Sequence, residues 1–345
     1  MNALAPMDHT RPRFSLLGTT GMIFEAPGAF DLDHQRRIWA MANAAGTWEG
    51  VREAVPGMTT AKLEQTFGNL KTWLPTLIQN VLEKQAGEPT LKLNGPFDIK
   101  AQQALGLDVM AYLGFDFNHG RLDISSHPFC GGVPSDVRIT TRYNQADFSS
   151  AIMGIVHETG HARYEQGLPK QWRGQPAGLA RSMGVHESQS LFCEMQLGAN
   201  PAFLRQLQPL IKQHLGCDFS AQDLARHYTR VNPGLIRVDA DEVTYPAHVI
   251  LRYEIERALI EGDIEAEDIP ALWDEKMMAY LGVDTRGNYR DGCLQDIHWT
   301  DGSFGYFPSY TLGAMYAAQY FATLRRQQPE LDARIAAGEL APVMD

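Results

Sequence analysis

The chain has 345 residues, 44% hydrophobic and 21% charged, which is enough to bury a large core without disulfide staples. Lysine and arginine together number 30 against 41 aspartates and glutamates, and the net charge of −11 argues against a phosphate-backbone binder, which needs clustered cations. Nucleic acid is therefore not an expected partner, and the four cysteines, Cys130, Cys193, Cys217 and Cys293, form no C-x-x-C pair and read as reduced thiols. Residues 1–54 read as an irregular lead with one short helix near Gln35–Ala45. Met1–Arg13 holds no apolar run before a cleavage site, and Phe14–Phe30 is broken by Glu25, Pro27 and several glycines. Neither a signal peptide nor a membrane span is read there, so no membrane partner and a cytoplasmic location are expected.

From Thr59 the pattern is helical, with Leu63, Phe67, Leu70, Leu74, Leu77, Ile78 and Val81 at steps of three and four. Pro75 interrupts the run and predicts a kink or two helices. A further helix is predicted over Asp98–Gly114. The stretch Arg121–Arg142 contains Pro128, Gly131, Gly132 and Pro134 before the β-branched run Val137–Thr141, which predicts a loop followed by one short strand. Helices follow at about Phe148–Gly167, Val185–Gly198, Pro201–Leu215, Ala221–Val231, Thr244–Ile260, Ile269–Leu281 and Ser309–Arg326. No internal repeat or polar linker marks a boundary, so residues 55–345 read as one mainly α domain with a small β element.

Within the predicted helix Phe148–Gly167 lies His157-Glu158-Thr159-Gly160-His161. Two histidines four apart share one helix face, so both imidazoles can bind a single tetrahedral ion. Glu158, next to the first, can take a proton from an attacking water: this is H-E-x-x-H, the zinc-hydrolase pattern. With 11 histidines in 345 residues, a chance match is about 2 in 100. The preceding Ala151, Ile152, Met153, Ile155 and Val156 place the helix in the interior, where unpartnered His and Glu are costly. Gly160 in mid-helix implies that something approaches closely there. A hydrolytic zinc site needs a third protein ligand, and His186-Glu187 opens the next helix. The His2Glu set common in hydrolases favours Glu187, with His186 as the alternative.

These residues resemble the carboxypeptidase Taq family of metallocarboxypeptidases. Beyond the zinc helix, His127-Pro128-Phe129 is similar to the family's HPF, and Asp136–Thr140 to its D-x-R-x-T. His186–Gln189 is similar to HES-Q, Ile236–Asp241 to IR-x-x-AD, and Gly292–Trp299 to G-x-x-Q-D-x-H-W. The resemblance implies a zincin-like, almost wholly helical domain with a deep groove, usually in a homodimer. It implies release of single residues from the C-terminus of peptides, with broad tolerance except near proline. It also implies that His157, His161 and Glu187 bind Zn²⁺, for which Co²⁺ can substitute, and that Glu158 is general base and then proton donor to the leaving amine. Family members extend further at both ends, so the family's N-terminal helices are expected to lie outside this sequence.

Such a reaction also needs an oxyanion donor, for which His298 and Tyr310 are candidates. It further needs a fixed cation for the substrate's free carboxylate. Arg237 is the first choice, because guanidinium matches carboxylate in a fork, and Arg138 the second. Each has a plainer reading. Asp136 can pair with Arg138, and Asp239 or Asp241 with Arg237. His127 can simply pin a loop, and His298 can orient a neighbour. Two rival functions stay open: a truncated, non-catalytic zinc-binding remnant of the family, and a zinc endopeptidase, which would not need Arg237 to bind a terminal carboxylate.

Overall fold

The structure, a computed structural model, describes residues 57–300 and 302–344, so the expected lead over 1–54 and its short helix lie outside the described residues. The described chain is mainly helical and forms two compact units. One takes in the described residues up to Ile78 together with Pro233–Pro308, and the other Gln79–Asn232 together with the residues from Ser309 onward.

α1 (Thr60–Gln85), assigned to the first unit up to Ile78 and to the second from Gln79, begins where the threonines predict and runs continuously through Pro75, so a break into two helices is not realised. Its Leu63, Phe67, Leu74 and Ile78 are buried. Its residues Glu64 and Lys71 also bond Tyr253 and Glu254, so tertiary contacts outweigh the loss of one backbone hydrogen bond at proline. The edge-on pair Phe67–Tyr253, with centroids 5.2 Å apart, belongs to the same contact.

The second unit carries α2 (Ile99–Tyr112), capped by Asp98, whose carboxylate accepts from the Ala101 N–H at 2.9 Å. The next stretch corrects the sequence reading. In place of a loop and one strand it holds three strands, β1 (Gly120–Ile124), β2 (Phe129–Val133) and β3 (Asp136–Thr141). They lie in the order β1-β3-β2, with β1 parallel and β2 antiparallel to β3. Leu122 and Cys130 both pair across Ile139, so β3 is the central strand and the one with consistently buried positions.

Against this sheet lies α3 (Ser149–Gly167), which also packs on α2. Val137, Ile139, Ile155, Ala162, Met110 and Phe115 form the core between them. Next come α4 (Met183–Leu191), capped by Ser182 through the Val185 N–H, and a π-helical segment over Phe192–Gly198. After it, α5 (Pro201–Leu215) has Pro201 in its first turn and ends at left-handed Gly216, while α6 (Ala221–Tyr228) is capped by Ser220. The first unit resumes with α7 (Tyr245–Glu261) and α8 (Ile269–Leu281), which pack on each other. The chain closes with α9 (Pro308–Gln327) and two short helices, Leu331–Ala336 and Ala341–Met344. No helix among the described residues is long and apolar enough to cross a membrane.

Candidate metal centre

α3 has its apolar flank in the core, with Ile152, Ile155 and Val156 fully buried, which fixes the rotation of the helix and so the direction of its polar residues. His157 and His161 stand one turn apart, ring centroids 5.0 Å apart and nearly perpendicular. Glu187 comes from α4, and its Oε2 lies 3.9 Å from His157 Nε2 and 3.7 Å from His161 Nε2. The three ligand atoms all fall within 4.8 Å of one another. Glu187 is only 4% exposed, and the Ser190 hydroxyl donates to its Oε2 at 3.1 Å. His186, the alternative third ligand, has its Nδ1 toward His161 and its Nε2 toward Glu165, outside the converging group.

Two glycines allow these helices to meet. A Cβ on Gly160 would lie 2.5 Å from the Gln189 carbonyl oxygen and 2.7 Å from Ser190 Cα. What approaches α3 at its mid-helix glycine is thus the backbone of α4. A Cβ on Gly313 in α9 would lie 2.7 Å from Glu187 Cβ, so a third helix presses the acidic ligand from behind. Half-buried Tyr310 stands three residues before Gly313, on the same side of α9.

Glu194, which sequence reasoning missed, belongs to the π-helical segment, and its Oε2 lies 2.7 Å from His157 Nδ1. The bond leaves His157 Nε2 directed at Glu187. Burial works against a charge on His157, but Glu194, Glu158 and Glu187 outweigh it and hold the imidazole up at about 10. Glu158, 7% exposed, is pushed by burial up to about 7, with Glu187 and Glu194 adding to the rise and His157 opposing it. Burial, reinforced by His157 and His186, pushes His161 well below its ordinary value. The cluster is an electronegative, desolvated cradle that favours a cation.

The model of the carboxypeptidase Taq (M32) metallopeptidase family matches residues 49–345. The chain belongs to that family. It is 43% identical over 294 residues to thermostable carboxypeptidase 1 of Thermus thermophilus, covering 84% of this chain and 57% of the relative. Carboxypeptidase 1 of Bacillus subtilis is 41% identical over 292 residues, covering 84% of this chain and 58% of its own. This chain therefore spans less than two thirds of these curated relatives. Among solved structures, Trypanosoma cruzi metallocarboxypeptidase 1 superposes with a TM-score of 0.86 at 46% identity, over 91% of this chain and 69% of that one.

The family's other motif residues occupy varied settings. His127 is exposed in the β1–β2 loop, with Nδ1 2.6 Å from the Pro128 carbonyl oxygen, while its own carbonyl accepts from Thr140 at 3.1 Å. Arg138, exposed on β3, makes a two-pronged bond to Asp136 at 2.9 and 2.8 Å. Arg237 and His298 belong to the other unit. Arg237 is 5% exposed, and its Nε donates to Asp296 Oδ1 at 2.9 Å. Its Nη1 donates to the Tyr245 hydroxyl at 3.3 Å, and the Phe307 ring lies 5.0 Å from the guanidinium carbon. His298 stands with Nδ1 4.0 Å from Asp296 Oδ1, its ring edge-on to Phe307. The IR-x-x-AD and Q-D-x-H-W motifs are therefore parts of one buried network, to which Gln295 adds a bond from the Arg237 N–H at 2.7 Å. Arg237→Met is expected to cost about 3–5 kcal/mol in urea unfolding, because it leaves Asp296 charged and buried without its bonded partner. A cost under about 1 kcal/mol would mean that the network tolerates an unpaired acid.

Proposed function

We propose that the chain is a metal-dependent carboxypeptidase that releases single residues from peptides with a free C-terminal carboxylate. The observation that carries this reading is the convergence of His157 Nε2, His161 Nε2 and Glu187 Oε2 beside buried Glu158. The donor set is the His2Glu type of catalytic zinc sites. Its 3.7 and 3.9 Å edges lie a few tenths of an ångström above the roughly 3.3 Å edge of a tetrahedron with zinc–ligand bonds near 2.05 Å. A closed structural site would take four protein ligands and no general base, whereas the H-E-x-x-H pattern supplies Glu158 next to His157 as the proposed base. His157, His161 and Glu187 would hold Zn²⁺, or Co²⁺ in its place. The bound ion would supply Lewis-acid polarisation of the scissile carbonyl and acidify the attacking water.

The protein's own groups do the rest. Glu158 Oε accepts the proton of the attacking water, and the same carboxyl then delivers it to the leaving amine. Its elevated affinity for a proton, set by burial, suits both halves of that cycle. Glu194 holds His157 Nδ1 and so keeps Nε2 turned inward. Glu194→Gln is expected to weaken zinc binding about 10–100-fold in chelator competition; unchanged affinity would remove Glu194 from this role. Tyr310 is the proposed oxyanion donor on α9. Roles for Arg237 as the carboxylate-binding cation and for His298, Arg138 and His127 at substrate rest on the motifs alone. A homodimer is likewise proposed on family resemblance, and a cytoplasmic location on the sequence reading alone.

The test is mass spectrometry of one short peptide, unblocked and C-terminally amidated, incubated with the zinc-loaded protein. Stepwise loss of single residues from the unblocked form alone supports the proposal. Internal cuts in both forms support an endopeptidase, and two intact peptides despite bound zinc support the remnant.

A further inference from the structure

The second histidine of the centre is held differently from the first. His161 Nδ1 faces His186 Nδ1 at 2.6 Å, and His186 Nε2 lies 2.9 Å from Glu165 Oε1. Two ring nitrogens in hydrogen-bond contact share one proton, so one donates and the other accepts. A histidine that offers its Nε2 lone pair to an ion carries its proton on Nδ1, so His161 is the donor and His186 Nδ1 the acceptor. His186 Nε2 is then the donor toward Glu165. Every ring nitrogen has one assigned role.

We propose that His186, backed by Glu165, is the positioning residue for His161: an imidazole relay that fixes the ligand's tautomer and turns its Nε2 toward Glu187. The inference rests on the metal-centre reading above. Three further features support it. Glu165 lies one turn beyond His161 on α3, and His186 precedes Glu187 on α4, so the contact between these two helices builds the relay and the ligand set together. The Tyr164 ring meets His186 edge-on at 5.0 Å and restricts its orientation. The third feature is charge. Glu158, Glu187 and Glu194 already surround His157. A carboxylate bonded directly to His161 would add another negative charge at the same radius, whereas His186 places Glu165 one ring further out.

Two near-isosteric variants separate positioning from packing. His186→Asn keeps an amide oxygen where Nδ1 stands and can still accept from His161. His186→Gln places its amide where Nε2 stands and leaves His161 Nδ1 without an acceptor. Zinc affinity is read by competition with a chromophoric chelator, and geometry by the visible spectrum of the Co²⁺-loaded protein. The relay predicts that His186→Gln binds zinc about 10–100-fold more weakly with an altered Co²⁺ spectrum, while His186→Asn stays close to the parent in both. Equal losses in the two variants, parental affinity in His186→Gln, or the reverse order would overturn it. A parent protein that binds no zinc would instead overturn the metal-centre reading on which it rests, and the relay with it.

Discussion

Replacing Glu158 by glutamine is expected to lower kcat by about 10²–10⁴-fold while zinc content and KM stay near those of the parent. The amide is nearly isosteric with the carboxylate, so packing beside His157 is kept. What it lacks is a basic oxygen to take the water's proton and return it to the amine. Glu158 is also not one of the three converging ligand atoms, which is why zinc content should not move. Glu187→Gln reverses the pattern, because it removes a charged ligand that is 4% exposed, and zinc should be lost first. Activity within tenfold of the parent in Glu158→Gln would mean that another group carries the proton. Loss of zinc together with activity would mean that Glu158 supports the ion instead.

The second large effect is expected from a single methyl group. In Gly160→Ala the new Cβ lies 2.5 Å from one backbone atom of α4 and 2.7 Å from another, neither of which can rotate aside. Relief to ordinary contact at about 3.5 Å requires the helices to part by roughly 1 Å. Overpacking of this kind typically costs about 1–3 kcal/mol of stability. The same parting separates His161 on one helix from Glu187 on the other. Zinc affinity should therefore fall by about 10²-fold, the scale set by an ångström of misplacement at a reacting centre. Gly154→Ala, on the same helix, is the control: its Cβ would meet only Pro128 and Thr141 at 3.9 and 4.0 Å. That substitution should be neutral or stabilise by about 0.5–1 kcal/mol through helix propensity. Unfolding midpoints and zinc competition on the pair decide the matter. Equal behaviour of the two variants would mean that the α3–α4 approach does not set the ligand geometry.

Local periodicity made much of the architecture readable. Pro201–Leu215 and Ile269–Leu281 have the boundaries that their apolar spacing and caps predict. His157 and His161 were legible because their spacing is a helix turn and needs no tertiary information. The sheet was not. β1 and β2 are half exposed, and Pro128 and Gly131-Gly132 weaken their alternation, so only pairing with β3 makes them strands. Glu194 was hidden for a related reason: the run after Leu191 reads as continuing helix, and only the π-helical turn brings its carboxylate to His157. Glu165 did leave a signal, four residues after His161 on the same face, but nothing in the sequence said that His186 would stand between partners on two helices. Arg237 and Asp296 are 59 positions apart, and no local pattern in the sequence pairs them.

The central claim is that His157, His161 and Glu187 jointly hold one ion. Anomalous scattering at the zinc edge, from crystals of the full chain grown with zinc, tests it most directly. One strong peak is expected among His157 Nε2, His161 Nε2 and Glu187 Oε2, lost in Glu187→Gln and kept in Glu158→Gln. No peak there, or a peak elsewhere while peptide is still cleaved, would contradict it.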